Sequence, residues 1–239
     1  MQVRSWVKVS GGLRHLSTRP LRFLFAVVLG WIFCQTPALA QRTRYAGVLG
    51  GVCTLSGDAA SQLTPQGLKA SLYKPENGLI LNLLGGVQFH QYLSLQFNYV
   101  WNRNSLAMSS TSGGSSFYVQ LRSSSQQSAT ADLLVYFRRR ESRLRPYLGV
   151  GTGLAHLTST QIRTTALGGT PVLPPTHFSS TQVALHVPVG IDFAITPHVL
   201  LRYSFSETLR HNDVSDKLSP PGERLLASFH NLAGILVRF

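Results

Sequence analysis

Between Gln182 and Phe205 every second residue is apolar. Val183, Leu185, Val187, Val189, Ile191 and Phe193 alternate with Gln182, Ala184, His186, Pro188, Gly190 and Asp192. After the break Thr196-Pro197-His198 the pattern resumes, with Val199, Leu201, Tyr203 and Phe205 against Leu200, Arg202, Ser204 and Ser206. A period of two predicts strands, because successive side chains on a strand point to opposite faces. The tight break makes the pair a hairpin. One face is continuously apolar and the other carries Gln, His, Asp and Arg. That suits a half-buried sheet, or a barrel wall with lipid outside and a polar interior.

The same period recurs along the chain. A Gly-rich first strand over 42–55 does not declare which face is apolar. The second, 78–90, sets Leu79, Leu81, Leu83, Val87 and Phe89 against Asn82, Gln88 and His90. The third sets Leu93, Leu95, Phe97, Tyr99 and Trp101 against Ser94, Gln96, Asn98 and Asn102. A fourth over 126–138 sets Ala129, Ala131, Leu133, Val135 and Phe137 against Thr130, Asp132, Leu134 and Tyr136. A basic turn over 138–146 leads to a fifth over 147–158, where Leu148, Val150 and Leu154 oppose Gly149, Gly151, Gly153 and Ala155. The opening hairpin supplies the sixth and seventh. The eighth, 225–239, sets Ala227, Phe229, Ala233, Ile235, Val237 and Phe239 against Ser228, His230 and Arg238.

The connections alternate in length. Segments 56–76, 105–125, 159–178 and 211–224 are long and polar; those near 91, over 138–146 and over 195–198 are short. The run Ser109 to Ser116 cannot bury enough surface to order itself, so 105–125 reads as a mobile loop, within which 117–121 could extend a hairpin. Short turns on one side and long loops on the other are the habit of outer-membrane barrels. With both termini on the periplasmic side, Phe89, Phe137, Tyr147, Phe193 and Phe239 fall at that end and Tyr99, Trp101, Phe205 and Phe229 at the other. These are two aromatic girdles. The expected fold is all-β: an eight-stranded antiparallel up-and-down transmembrane barrel. Pro188, which lacks a donor for the ladder, predicts a bulge.

The N-terminus changes the destination. Residues 1–40 hold Arg4, Lys8, Arg14, Arg19 and Arg22 without an acid, then an apolar run from Phe23 to Cys34, then Ala38-Leu39-Ala40. This predicts a secretory signal peptide over 1–40, cleaved after Ala40 with Ala38 completing the A-x-A site, and a barrel over 41–239. The apolar run is too short for a transmembrane helix, which needs about 20 residues. Cys53 would then be the one cysteine left, so no internal disulfide can form. The full chain carries 22 Lys+Arg against 9 Asp+Glu, a net charge of +13. In an exported chain that surplus points to anionic lipid, including lipopolysaccharide, rather than nucleic acid.

Signal peptide, alternating strands, the segment Arg145-Pro146-Tyr147-Leu148-Gly149-Val150-Gly151-Thr152-Gly153 and the ending Gly-Ile-Leu-Val-Arg-Phe resemble the outer-membrane protein β-barrel domain family, the small OmpA/OmpX-like barrels. The resemblance implies that Gly234, Ile235, Val237 and Phe239 form the C-terminal signal read by the barrel assembly machinery. Leu232 stands where that signal usually has a polar residue.

Candidate chemistry is thin. Asp132, His186, Asp192, Arg202, His230 and Arg238 point inward and read as a network in which Asp132 and Asp192 pair with Arg202 and Arg238. The run Arg138 to Arg143 reads as a solvated turn, with phosphate binding as its alternative. His177-Phe178-Ser179 followed by Asp192 imitates the His-x-Ser and acid of lipid A deacylases. The His and Asp are 15 residues apart on one extended strand, and 13 residues already span some 40 Å, which rules out a triad. The expected role is therefore not enzymatic, without cofactor or metal. It is a monomer in the outer membrane with a closed polar interior, structural or adhesion-like through its outer loops. The alternatives are a channel or carrier for a small solute or an apolar molecule, the latter as a soluble barrel with its apolar face inward, and lastly a lipid A-modifying enzyme.

Overall fold

The structure, a computed structural model, describes residues 42–56, 71–112, 116–167, 175–214 and 225–239. The chain divides into Met1–Ala40 and Gln41–Phe239. The expected signal segment, with Ala38 and Ala40, lies outside the described residues.

Among the described residues nine strands follow one another: β1 (Thr43–Ser56), β2 (Ser71–Pro75), β3 (Gly78–His90), β4 (Leu93–Ser112), β5 (Ser116–Tyr136), β6 (Leu144–Leu167), β7 (His177–Ala194), β8 (Val199–His211) and β9 (Leu225–Arg238). Every ladder is antiparallel. β1 pairs with β3 and β9, each later strand pairs with the next, and β4 pairs with β5 to close the ring. β2 and β3 both lie on β4, at Leu106–Ser110 and Leu93–Arg103, so they are two parts of one wall strand. The break between them is tied in place: Glu76 donates its backbone N–H to Ser105, and the Asn104 amide donates to the Glu76 carbonyl. Eight wall strands therefore form an up-and-down barrel, as the alternation predicts. Its seam is the β1–β9 ladder from Tyr45↔Arg238 to Ser56↔Ala227, extended by two backbone bonds between Arg44 and Phe239.

The faces are sorted as the period of two requires. Leu79, Leu133, Leu185, Val189, Leu201 and Ile235 are exposed on the outside. Asn82, Gln96, Asn98, Asp132, His186, Arg202 and His230 are buried inside. This orientation is opposite to that of a soluble carrier with an apolar cavity. The lumen is nevertheless not wholly polar. Tyr45, Leu49, Ile80, Leu84, Leu200, Leu232 and Leu236 form an apolar cluster inside it, mostly on β9, β1 and β3. A polar lumen would have needed water or partners on every wall, and this side needs neither.

Five expectations change. The segment 56–76 is not loop throughout, since Ser71–Pro75 is strand β2 on β4. The described residues 105–112 and 116–125 are not a loop: β4 and β5 pair from Leu93↔Val135 to Ser112↔Ser116. Nor is 159–167, where β6 stays paired with β5 as far as Leu167. Serine is neutral in a strand, and Leu106, Met108 and Tyr118 bury themselves at alternate positions, which holds the hairpin in register. Pro188 makes no bulge. Its ladder to β8 is unbroken, and the ladder to β6 skips two pairs between Leu148↔Val189 and Gly151↔His186 without changing register. Gly149 makes room there, since a Cβ on it would stand 2.9 Å from the proline ring. Finally, Tyr147 is inside the barrel and not in the girdle. Phe89, Phe137, Phe193, Phe239 and Trp101 do face outward.

Candidate functional site

Buried side chains fill the lumen at three levels. The lowest, at the short-turn end, is built on Arg202 of β8. Its register partner is Asp192 of β7, reached by Nε at 2.6 Å and Nη2 at 2.8 Å. Nη2 also donates to the Tyr136 hydroxyl at 2.9 Å, and Nη1 to Oε1 of Gln96. The guanidinium lies 4.7 Å from the ring centre of Tyr147 and 5.7 Å from that of Tyr45. Strands from opposite sides of the barrel thus meet on one side chain. The two tyrosines lie against glycines: Tyr147 pairs with Gly190 and Tyr45 with Gly86. A Cβ on either glycine would fall within 2.5 Å of the phenol, so only glycine lets the rings lie along the wall. Arg145, fully buried, stacks 3.9 Å from the centre of the Tyr136 ring and donates to Oε1 of Gln88 at 3.3 Å.

At the middle level Nδ1 of His186 lies 2.8 Å from Oδ2 of Asp132, which also accepts from the Asn98 amide at 2.6 Å. Asn98 accepts from Gln96 at 2.8 Å and so links this level to the one below. His230 sits beside His186, ring centres 6.4 Å apart, with Ser206 on its Nδ1 at 3.3 Å. Asp132 Oδ1, His230 Nε2, Ser228 Oγ and both amide atoms of Gln126 have no partner among the described residues. Buried polar atoms of this kind take ordered water. Among the described residues no three His, Cys, Asp or Glu side chains converge to hold a metal ion.

The outer level is apolar. Leu55, Leu106, Met108, Leu157, Val214 and Leu226 pack together with Phe178 against them. Above them Arg122 ties the tall hairpin to the chain before β7. It donates to Ser159 Oγ at 2.9 Å, Gln120 Oε1 at 2.6 Å and the Pro175 carbonyl at 2.8 Å.

The six inward residues expected from sequence are therefore placed unequally. Asp192 and Arg202 pair, and Asp132 pairs with His186 instead of an arginine. His230 borders that pair. Arg238 is half-buried at the short-turn mouth and does not reach Asp132. Ile235, Val237 and Phe239 face outward and Gly234 inward. Arg145 belongs to β6 and not to a solvated turn; it shares parity with Tyr147, a signal present in the alternation itself. The serine-rich surroundings of Arg122 hide it from a reading by period. The imitation of a deacylase triad dissolves: His177 and Ser179 are exposed beyond the outer level, while Asp192 is buried on Arg202.

An apolar exterior around a packed, hydrogen-bonded interior in a closed antiparallel ring defines a transmembrane β-barrel. The model of the outer membrane protein beta-barrel domain family matches residues 25–219, and the chain belongs to that family of bacterial outer-membrane proteins. Among solved structures, Neisserial surface protein A is 18% identical, with 82% of this chain and 97% of that one covered at a TM-score of 0.50. Ail of Yersinia pestis, in complex with the heparin analogue sucrose octasulfate, is 14% identical over 82% and 99% of the two chains, at 0.45. OprG of Pseudomonas aeruginosa is 14% identical over 83% and 95%, at 0.41. Of these three, one reaches a TM-score of 0.5, and its identity is low enough that it speaks for the fold alone. No curated protein matches the sequence.

Proposed function

We propose that this protein is a closed outer-membrane scaffold whose role is surface recognition, carried by its outer hairpins. The observation that carries this reading is the Arg202 hub, which joins β8 to β7, β5 and β4 across the lumen. With the apolar cluster at the outer level, it supports a lumen without a continuous aqueous path for a solute. Binding groups typically stand on a rigid scaffold, and here the wall itself extends outward. Beyond the last β6–β7 pair, Thr160↔His177, β6 continues to Leu167 with β5 and β4 beside it. Seven further residues at about 3.3 Å each raise that flap by roughly 20 Å. Among the described residues of the lumen no nucleophile, base and acid are arranged together, which favours a non-enzymatic role. Export with cleavage after Ala40, monomeric insertion by the barrel assembly machinery through the C-terminal signal, and contact with lipopolysaccharide complete the proposal.

The test shortens the flap. Deleting 107–120 removes the tall hairpin and with it the ladder of β2, and leaves β4 and β5 paired from Leu93↔Val135 to Leu106↔Arg122. Cells displaying the folded variant should lose adherence to sulfated glycan or matrix surfaces that cells with the full protein bind. Equal adherence of both, above cells lacking the protein, would overturn the role of the hairpin.

A further inference from the structure

The short-turn mouth of the barrel gathers more positive charge than its own acids can neutralise. Arg145 is buried behind the Tyr136 ring, and Arg238 of β9 is half-buried beside it. Arg140 reaches back from the 138–143 turn to donate to Thr43 Oγ1 at 2.7 Å, which brings the turn under the mouth. The three guanidinium groups lie within electrostatic reach of one another. The acid facing them is Asp192, already engaged by both Nε and Nη2 of Arg202. Arg145, Arg238, Gln88, Tyr136 and Leu236 line a narrow cleft at this point. Within it Arg145 Nε and Arg238 Nη2 are buried donors without a partner among the described residues. The same turn carries Arg138, Arg139 and Arg143, all exposed, with Glu141 its one carboxylate.

Clustered guanidinium groups repel one another, and an oxyanion at the mouth that bridges the outer two relieves that repulsion. Phosphate fits because its oxygens accept paired N–H donors from arginine. The cleft is too narrow for an anion to sink below Arg145, so the ligand sits across its mouth. We infer that Arg140 and Arg238, standing over the buried charge of Arg145, form a phosphate-oxyanion site at the short-turn end of the barrel. Its ligand is the phosphate of an anionic lipid headgroup or free phosphate. The lipid source rests on that end facing the periplasm, where the inner leaflet lies; the site itself does not depend on the surface-recognition role.

The test uses the chain from Gln41 to Phe239, refolded in neutral detergent and studied by native mass spectrometry. Phosphatidylglycerol should be retained at least tenfold over phosphatidylcholine. Arg140→Gln/Arg238→Gln should abolish that preference, while Arg138→Gln/Arg139→Gln, which removes the same charge from exposed positions, leaves it within twofold. Displacement of the lipid by millimolar inorganic phosphate would make free phosphate a ligand as well. Retention against phosphate would assign the site to the headgroup. No preference in the unaltered protein, or equal losses in the two double variants, would overturn the site. Folding of each variant is read from its heat-shifted migration on gels. If the glutamine pair does not fold, Arg140→Lys/Arg238→Lys replaces it: at least a threefold loss is expected, and an unchanged preference contradicts the forked geometry.

Discussion

Arg202 and Asp192 stand directly opposite each other on β8 and β7 and meet through two hydrogen bonds of 2.6 and 2.8 Å. Both side chains are buried, each with 1% of its surface exposed. Deleting one partner strands the other charge, and breaking such a pair costs about 3–5 kcal/mol. Arg202→Met and Asp192→Leu should each lower the urea-unfolding free energy of the refolded barrel by that order. The double variant should lose clearly less than the sum of the two. Additive losses would mean that the pair is not coupled.

The lipid face is tested by charge. Leu185 is exposed on the outer wall, level with the buried His186–Asp132 pair, near the middle of the barrel. Arginine at mid-bilayer on such a face costs about 2–4 kcal/mol and falls to about 0–1 near the interfaces. Leu185→Arg should therefore destabilise the barrel in liposomes well beyond Phe137→Arg at the short-turn end. The reverse order in unfolding titrations would mean that the depth is misassigned.

Two glycines separate the faces from each other. A Cβ on Gly190 would meet the Tyr203 carbonyl at 2.4 Å and the Tyr147 hydroxyl at 2.5 Å, whereas one on Gly85 has its nearest neighbour at 3.9 Å. Gly190→Ala should cost about 1–3 kcal/mol through overpacking. Gly85→Ala should be near neutral. Matching losses would show that Tyr147 is free to move off the wall.

Export is tested by mass. Protein recovered from the membrane fraction should begin at Gln41, following Ala38-Leu39-Ala40. An intact Met1 terminus in that fraction would refute cleavage.

The period of two makes the wall legible in the amino-acid sequence: the outward Leu133 and the inward Asp132 differ only in parity. It places Asp192, Arg202 and His186 inside because each shares parity with other polar residues on its strand. It cannot say which acid meets which base, since that depends on register between strands, and so Asp132 meets His186 instead of an arginine. The tall hairpin escapes the pattern because serine does not mark a face. The apolar lumen wall escapes it for a different reason. Leu84, Leu200 and Leu236 break the polar alternation singly, and they form a cluster only once β3, β8 and β9 lie near one another.

The central claim is that the lumen is closed. It is tested most directly by single-channel recording of the refolded barrel, from Gln41 to Phe239, in planar bilayers. The filled levels around Arg202, His186 and Leu226 predict no steady, porin-sized conductance, because eight strands enclose a space that side chains can fill. Steady porin-sized steps in the unaltered protein would contradict the closed lumen and put a pore in its place.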